Sequence, residues 1–250
     1  MDVTLMGTAS AASGSGRDNT YMLIRDGQDA TFVDVGGNPL GKLKTLQVPL
    51  SQVRRVVLTH GHIDHVYGLS SLLWGLWMDG RTEPLDLYCP DAMHPWLEGW
   101  LRATGAWEWP VGFEIRFHPF DWRQKQTLWQ QGDSRLEAFP AKHGVPAAGV
   151  AYVHRDRVLV FSADTAPNED IRAYERIDLL VHEATTARRH WENHSSLERI
   201  AQFYDWSRIR RAVLVHLTDG EPYGEVWQGL PEHLRARISF GQDLMTISII

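Results

Sequence analysis

The sequence has a single cysteine, Cys89, in 250 residues. That excludes an internal disulfide framework and any thiolate-based zinc knuckle, so a metal here must be held by imidazole and carboxylate. No apolar run approaches the roughly 20 residues that a membrane-spanning helix needs. The opening MDVTLMGTAS reads as a strand followed by a loop of small residues, without the charged and apolar regions of a signal peptide. A cytoplasmic location and no membrane partner are therefore expected. Long runs of one charge are also missing. The net charge is −6, and Arg54-Arg55, Arg188-Arg189 and Arg208/Arg210/Arg211 are short, scattered clusters. No continuous phosphate-tracking stripe can be read from them, which weighs against a dedicated nucleic-acid binder. Low-complexity tracts, Pro/Gly/Ser linkers and solenoid-type repeats are absent too, so residues 1–250 read as one domain.

The sequence does contain short strand-like runs: VTLMG (3–7), YMLI (21–24), TFVDV (31–35), VRRVVLT (53–59), LDLYC (85–89), VLVFS (158–162), DLLVH (178–182) and AVLVH (212–216). Helical patterns lie between several of them. The best marked opens at Ser195-Ser196-Leu197-Glu198, where a serine and a glutamate three residues on can form a capping box, and runs to about Trp206. Alternating strands and helices, with hairpin turns such as Arg25-Asp26-Gly27, predict a mixed sheet covered by helices.

The polar residues of interest fall at the ends of these strands. THGHIDH (59–65) packs His60, His62, Asp64 and His65 into one turn directly after an apolar run. Asp164 follows VLVFS by two residues, His216 ends AVLVH, and His143 sits in the loop AKHGVP. In a tight turn His60 and His62 can face one ion while Asp64 and His65 face another, and Asp164 can bridge the two. These seven are the candidate ligands for two divalent ions, with zinc first and manganese or iron(II) compatible with the same donors. A hydroxide held between two such ions is a nucleophile at neutral pH. His94, His118, His154, His190 and His233 are read as ordinary hydrogen-bonded histidines.

HGHIDH matches the HxHxDH signature of the metallo-β-lactamase superfamily of hydrolases, which the chain resembles over essentially its whole length. The resemblance implies an αββα sandwich of two pseudo-symmetric halves with a dinuclear site along one edge. It implies that His60, His62 and His143 hold one metal, that Asp64, His65 and His216 hold the other, and that Asp164 bridges. Asp34, in FVDVGG, resembles the family's structural aspartate that buttresses the metal loop. The stretch FSADTAPNEDIRAYERIDLLVHEATT, followed by NHSSLERIA and AVLVHLT, is similar to the ribonuclease Z branch and its phosphodiesterase relatives. Here Ala163 stands where that branch has the glycine of its GDT turn, and Arg17 and Asn19 match its N-terminal RN pair only loosely. By position His194 would donate a proton to the leaving oxygen or bond a phosphoryl oxygen, with Asp64 beside it in the catalytic set and Glu183 orienting it.

The chain also departs from long ribonuclease Z forms. Their arm lies between the ligand histidine and the bridging aspartate, and here only the hairpin AGVAYVHRDRVLVF fits in that interval. Residues 70–130, expected to form a Trp-rich insertion, hold eight of the eleven tryptophans, which are read as helix-packing or pocket-wall residues. A walled site favours a small or cyclic phosphodiester substrate over nucleic acid. A tRNA 3′-processing endonuclease and a lactone or other non-phosphate ester hydrolase are the alternatives. Assembly as a homodimer is left as an option.

Overall fold

The structure, a computed structural model, describes residues 1–12 and 14–249. Fourteen strands among these residues form two seven-stranded sheets. The first half contributes β1 (Asp2–Gly7), β2 (Tyr21–Asp26), β3 (Asp29–Val33), β4 (Val53–Val57), β5 (Leu85–Pro90) and β6 (Ile115–Phe120). The second contributes β7 (Gln126–Gln131), β8 (Ser134–Pro140), β9 (Ala148–His154), β10 (Arg157–Phe161), β11 (Leu179–Glu183), β12 (Ala212–Val215) and β13 (Ile238–Phe240). The final strand, β14 (Met245–Ser248), crosses back to pair with β1. Each sheet starts as antiparallel hairpins and continues as three parallel steps, β3 to β6 in one and β10 to β13 in the other. Parallel steps need crossovers, and these crossovers carry the helices α1 (Pro39–Thr45), α2 (Ile63–Val66), α3 (Leu69–Met78), α4 (His94–Ala103), α5 (Glu169–Arg172), α6 (Leu197–Phe203), α7 (Tyr223–Gln228) and α8 (Glu232–Arg235).

Burial on both faces explains why the central strands read as near-continuous apolar runs. In β12, Val213 and Val215 pack between the sheets, while Ala212 and Leu214 face the second helix layer. In β3, Val33 faces the partner sheet and Phe32 the first helix layer. Three apolar clusters thus separate four layers, helix, sheet, sheet and helix, which is the αββα sandwich expected from the resemblance.

All eight strand-like runs are strands, and the 148–161 segment is a hairpin whose turn is Arg155-Asp156. Two expectations shift. The capping serine of α6 is Ser196, which accepts from the Arg199 N–H, whereas the Ser195 hydroxyl donates to the Thr165 carbonyl. That helix ends at Phe203 because Tyr204 turns extended and carries its hydroxyl to His182. Residues 70–130 are also largely woven into the first half rather than appended to it, since they supply β5, β6 and most of α3. Leu72, Leu73 and Leu76 of α3 and Leu97 and Leu101 of α4 pack against the sheet. Trp77, Trp100 and Trp109 pad that core, while Trp74 and Trp96 are each 43% exposed.

Candidate metal centre

The candidate ligands collect at the C-terminal ends of the parallel strands, where loops free of sheet hydrogen bonding can turn side chains inward. Three residues there adopt left-handed backbone: Asp34 after β3 (φ 60°), Ala163 after β10 (φ 53°) and His216 after β12 (φ 56°). Such conformations cost on the order of 1–3 kcal/mol each for non-glycine residues and persist only where the surroundings enforce them. Gly36 follows Asp34 for a steric reason. A Cβ there would lie 1.9 Å from the Asp64 carbonyl oxygen, so the metal loop can settle only on a bare backbone.

Two donor groups result. His60, His62, His143 and Asp164 present ligand atoms within 4.8 Å of one another, and so do Asp64, His65 and His216. Asp164 lies between them, with Oδ2 3.8 Å from His60 Nε2 and 3.3 Å from His216 Nε2, and Oδ1 3.4 Å from His65 Nε2. His194 joins Asp164 and His216 in a third such group. The structure therefore brings all seven expected ligands and His194 together. His94, His118, His154, His190 and His233 belong to none of these groups.

The far side of each ring fixes which nitrogen faces inward. Thr59 donates its hydroxyl to Asp34 Oδ2 (2.8 Å), so it must accept from His60 Nδ1 (3.0 Å). His65 Nδ1 donates to Asp34 Oδ2 (2.8 Å), and His143 Nδ1 donates to the Asn193 carbonyl (3.0 Å). Thr185 donates to Glu183 Oε2 (2.9 Å) and so accepts from His216 Nδ1 (3.0 Å). His194 Nδ1 donates to Glu183 Oε1 (2.9 Å). With Nδ1 committed, each of these five rings presents Nε2 to the site, and His62 alone presents Nδ1, 3.1 Å from His60 Nε2 and 3.0 Å from His143 Nε2. Ring orientation by outer hydrogen bonds is what metal-binding imidazoles require.

The electrostatics agree with a cation site. Burial holds His60 well below its usual pKa and lowers His62 and His143, leaving neutral rings with free lone pairs. Burial also opposes charge on Asp164, yet His216, His65 and His60 outweigh it and hold that carboxyl well below the usual range. Burial likewise opposes charge on Asp64, and the imidazoles of His216 and His65 outweigh it. Asp34 and His65 are both raised, Asp34 by burial and His65 by Asp164 and Asp34 against burial. The proton between them belongs on His65, because Asp34 already accepts the Thr59 N–H and O–H. Finally, Asp64 Oδ2, His65 Nε2 and His216 Nε2 are buried polar atoms without a hydrogen-bond partner. Each such orphan costs roughly 1–3 kcal/mol. The three form one of the donor groups, and a divalent cation would satisfy all of them.

Sequence reasoning assigned no role to Thr59 or Thr185, although both stand inside the quoted motifs, and it did not find the Asn193 carbonyl. Glu183 proves more connected than expected. Besides Thr185 and His194 it accepts the N–H groups of Thr165, Thr185 and Ser195. At the mouth, Trp191 packs edge-on to His194 with centroids 5.6 Å apart. On the other side, Met93 and Trp96 lie against Gly61 of the metal loop, so the start of α4 forms part of the wall.

The β-lactamase superfamily domain model matches residues 31–217. A ribonuclease Z of Methanothermobacter thermautotrophicus is 23% identical, covering 100% of this chain and 97% of that protein. A ribonuclease Z of Synechococcus is 31% identical over 66% of this chain but only 53% of its own length, so the chain spans about half of that relative. Human tRNase Z, short form, superposes with a TM-score of 0.82 at 22% identity over 100% of both chains. A diphosphatase of the PhnP family superposes at 0.73 with 16% identity over 100% and 98%. With the domain model covering most of the chain and the motif residues gathered at the strand ends, the protein belongs to the β-lactamase superfamily and, within it, to the ribonuclease Z-like branch of metal-dependent hydrolases.

Proposed function

We propose that this protein hydrolyses phosphodiester bonds at a site holding two divalent ions, zinc being the first choice for a His/Asp donor set and manganese or iron(II) compatible with it. The observation that carries the reading is the convergence of six imidazole nitrogens and two carboxylates, with three buried donors otherwise unpartnered. Two ions bound there would supply a water nucleophile ionised near neutral pH and charge stabilisation for the phosphoryl oxygens. His60, His62 and His143 would hold one ion, Asp64, His65 and His216 the other, and Asp164 would serve both.

The remaining work falls to His194. Glu183 grips its Nδ1, so Nε2 is directed towards Asp164 and His216. Burial opposes its charge, but the bond to Glu183 and the nearby Asp164 raise its pKa above the usual value. The shift favours the doubly protonated ring, in which Nε2–H would be available to the leaving oxygen. Glu183 is a positioning residue, which keeps the ring in place and its charge compensated.

For the substrate, RNA comes first, because the chain is similar to a ribonuclease Z along nearly the whole length of both proteins. This reverses the ranking drawn from the sequence. The small or cyclic phosphodiester remains a second reading, favoured by the two-residue turn of the β9–β10 hairpin, which leaves no arm between His143 and Asp164. The test is elemental analysis followed by parallel assays of precursor tRNA and bis-(p-nitrophenyl) phosphate on the same preparation. Two ions per chain, loss of both activities on chelation and their return with zinc or manganese are expected. Full activity with less than one ion per two chains would refute the dinuclear reading. Hydrolysis of the small diester without tRNA cleavage would favour the second substrate.

A further inference from the structure

A cleft lined by four arginines lies away from the metal centre. It has a volume of about 610 Å³ and is lined by Arg210, Arg211, Arg235 and Arg237 together with Trp227 and Phe240. Three stretches of chain build it: the turn entering β12, Trp227 of α7, and the segment from α8 into β13, the edge strand of the second sheet. Among the described residues none of the four arginines has a carboxylate within ion-pair distance. Their neighbours differ, since Arg208 pairs with Asp205, and Arg157 and Arg176 with Asp178. Arg237 commits Nη1 to the carbonyls of Trp206 and Ile209, which fixes the guanidinium at the cleft wall. Trp227 is anchored by its indole N–H on the Ile238 carbonyl, leaving a half-buried ring with the Arg235 guanidinium 6.0 Å from its centre.

In a chain of net charge −6, four uncompensated arginines around one concavity repel one another unless an anion enters. Guanidinium forks match phosphate oxygens, and a fixed aromatic ring beside them offers a stacking surface for a base. We propose that this cleft is a second, non-catalytic binding site for the phosphate backbone of a nucleic-acid strand. It rests on the RNA reading above only for the choice of ligand. The spacing suits that role. Arg211 precedes β12 and His216 follows it, so the two lie about 17 Å apart at roughly 3.3 Å per residue. At about 3.4 Å per stacked nucleotide, around five nucleotides would span that distance. β13 is an edge strand, so a strand of RNA can run along the sheet flank between cleft and metal centre.

The test compares the metal-loaded protein with its Arg210→Ala/Arg211→Ala variant, whose two side chains make no hydrogen bond or ion pair among the described residues. Three readouts are taken: binding of a labelled single-stranded RNA by fluorescence anisotropy at several salt concentrations, cleavage of precursor tRNA, and hydrolysis of bis-(p-nitrophenyl) phosphate. The expected result is RNA binding weakened about tenfold at moderate salt, a log–log salt slope shallower by about 1–1.5 as two phosphate contacts are lost, and unchanged hydrolysis of the small diester. Unchanged RNA affinity and slope would overturn the proposal, as would a wild-type protein that does not bind RNA. Competition by inorganic phosphate or a mononucleotide with no effect on RNA binding would also overturn it. The two readings fail separately. Arginine-dependent binding without tRNA cleavage refutes the RNA-processing reading alone, whereas cleavage with arginine-independent binding refutes the cleft alone.

Discussion

The two halves of the molecule solve the same positioning problem with matching parts and put them to different use. In the first half a carboxylate at the end of β3, Asp34, accepts from Thr59, which accepts from His60. In the second a carboxylate at the end of β11, Glu183, accepts from Thr185, which accepts from His216. Each carboxylate also grips one further imidazole by Nδ1, His65 in the first half and His194 in the second. The environments of that last ring differ. His65 is fully buried, its Nε2 facing Asp64 and Asp164, whereas the His194 side chain keeps 14% exposure beside Trp191 at the mouth. A buried ring can only hold, while a ring at the mouth can meet a substrate. Under the proposed function, the first half would bind metal, and the second would bind metal and move a proton.

The strongest test of this division removes what the halves share. Asp164→Asn should lower turnover by more than any other single change at the site and reduce bound metal in both positions, as read by kinetics with elemental analysis. Loss of one ion with substantial turnover retained would break the assignment of Asp164 to both halves. His194→Ala should lower turnover by roughly 10²–10⁴-fold with metal content intact. Metal loss in that variant would make His194 a second His65.

Next in size is the contrast between the two carboxylates. Asp34→Asn should weaken metal affinity about 10–100-fold in a chelator competition. Glu183→Gln should mainly lower kcat, because its most exposed dependent, His194, is the proposed proton donor. Equal effects of both variants on metal affinity would erase the difference between the halves. The same contrast has a pH signature. His194 is raised by Glu183, and its protonated form is the active one under the proposed function, so turnover should be present below that raised value and decline as pH rises through it. In Glu183→Gln the alkaline limb should move to lower pH. An unmoved limb would assign the titration to another group. The smallest effect expected is at Ala163, left-handed at φ 53° with its methyl in the core between the sheets. Relief of backbone strain and loss of a buried methyl oppose each other, each about 1 kcal/mol, so Ala163→Gly should change stability in urea unfolding by less than about 1 kcal/mol.

The candidate donor set could be read from the sequence because a metal site needs particular side chains at fixed offsets, and four of the seven lie within His60–His65. Asp164 and His216 could be found because each follows an apolar strand, and strand ends are where a chain can turn side chains into a shared site. Asp34 and Glu183 were legible only through a resemblance, since a lone carboxylate carries no periodic or compositional signal. Tertiary structure alone decided which nitrogen each imidazole presents, since that depends on hydrogen bonds from Thr59, Thr185 and the Asn193 carbonyl. It also decided that Arg210 and Arg211 share a cleft with Arg235 and Arg237. In the sequence they are pairs some twenty-five residues apart in an acidic chain. The parallel pairing of β12 and β13 sets their starts side by side, and charges become a site only when folding puts them within reach of one another.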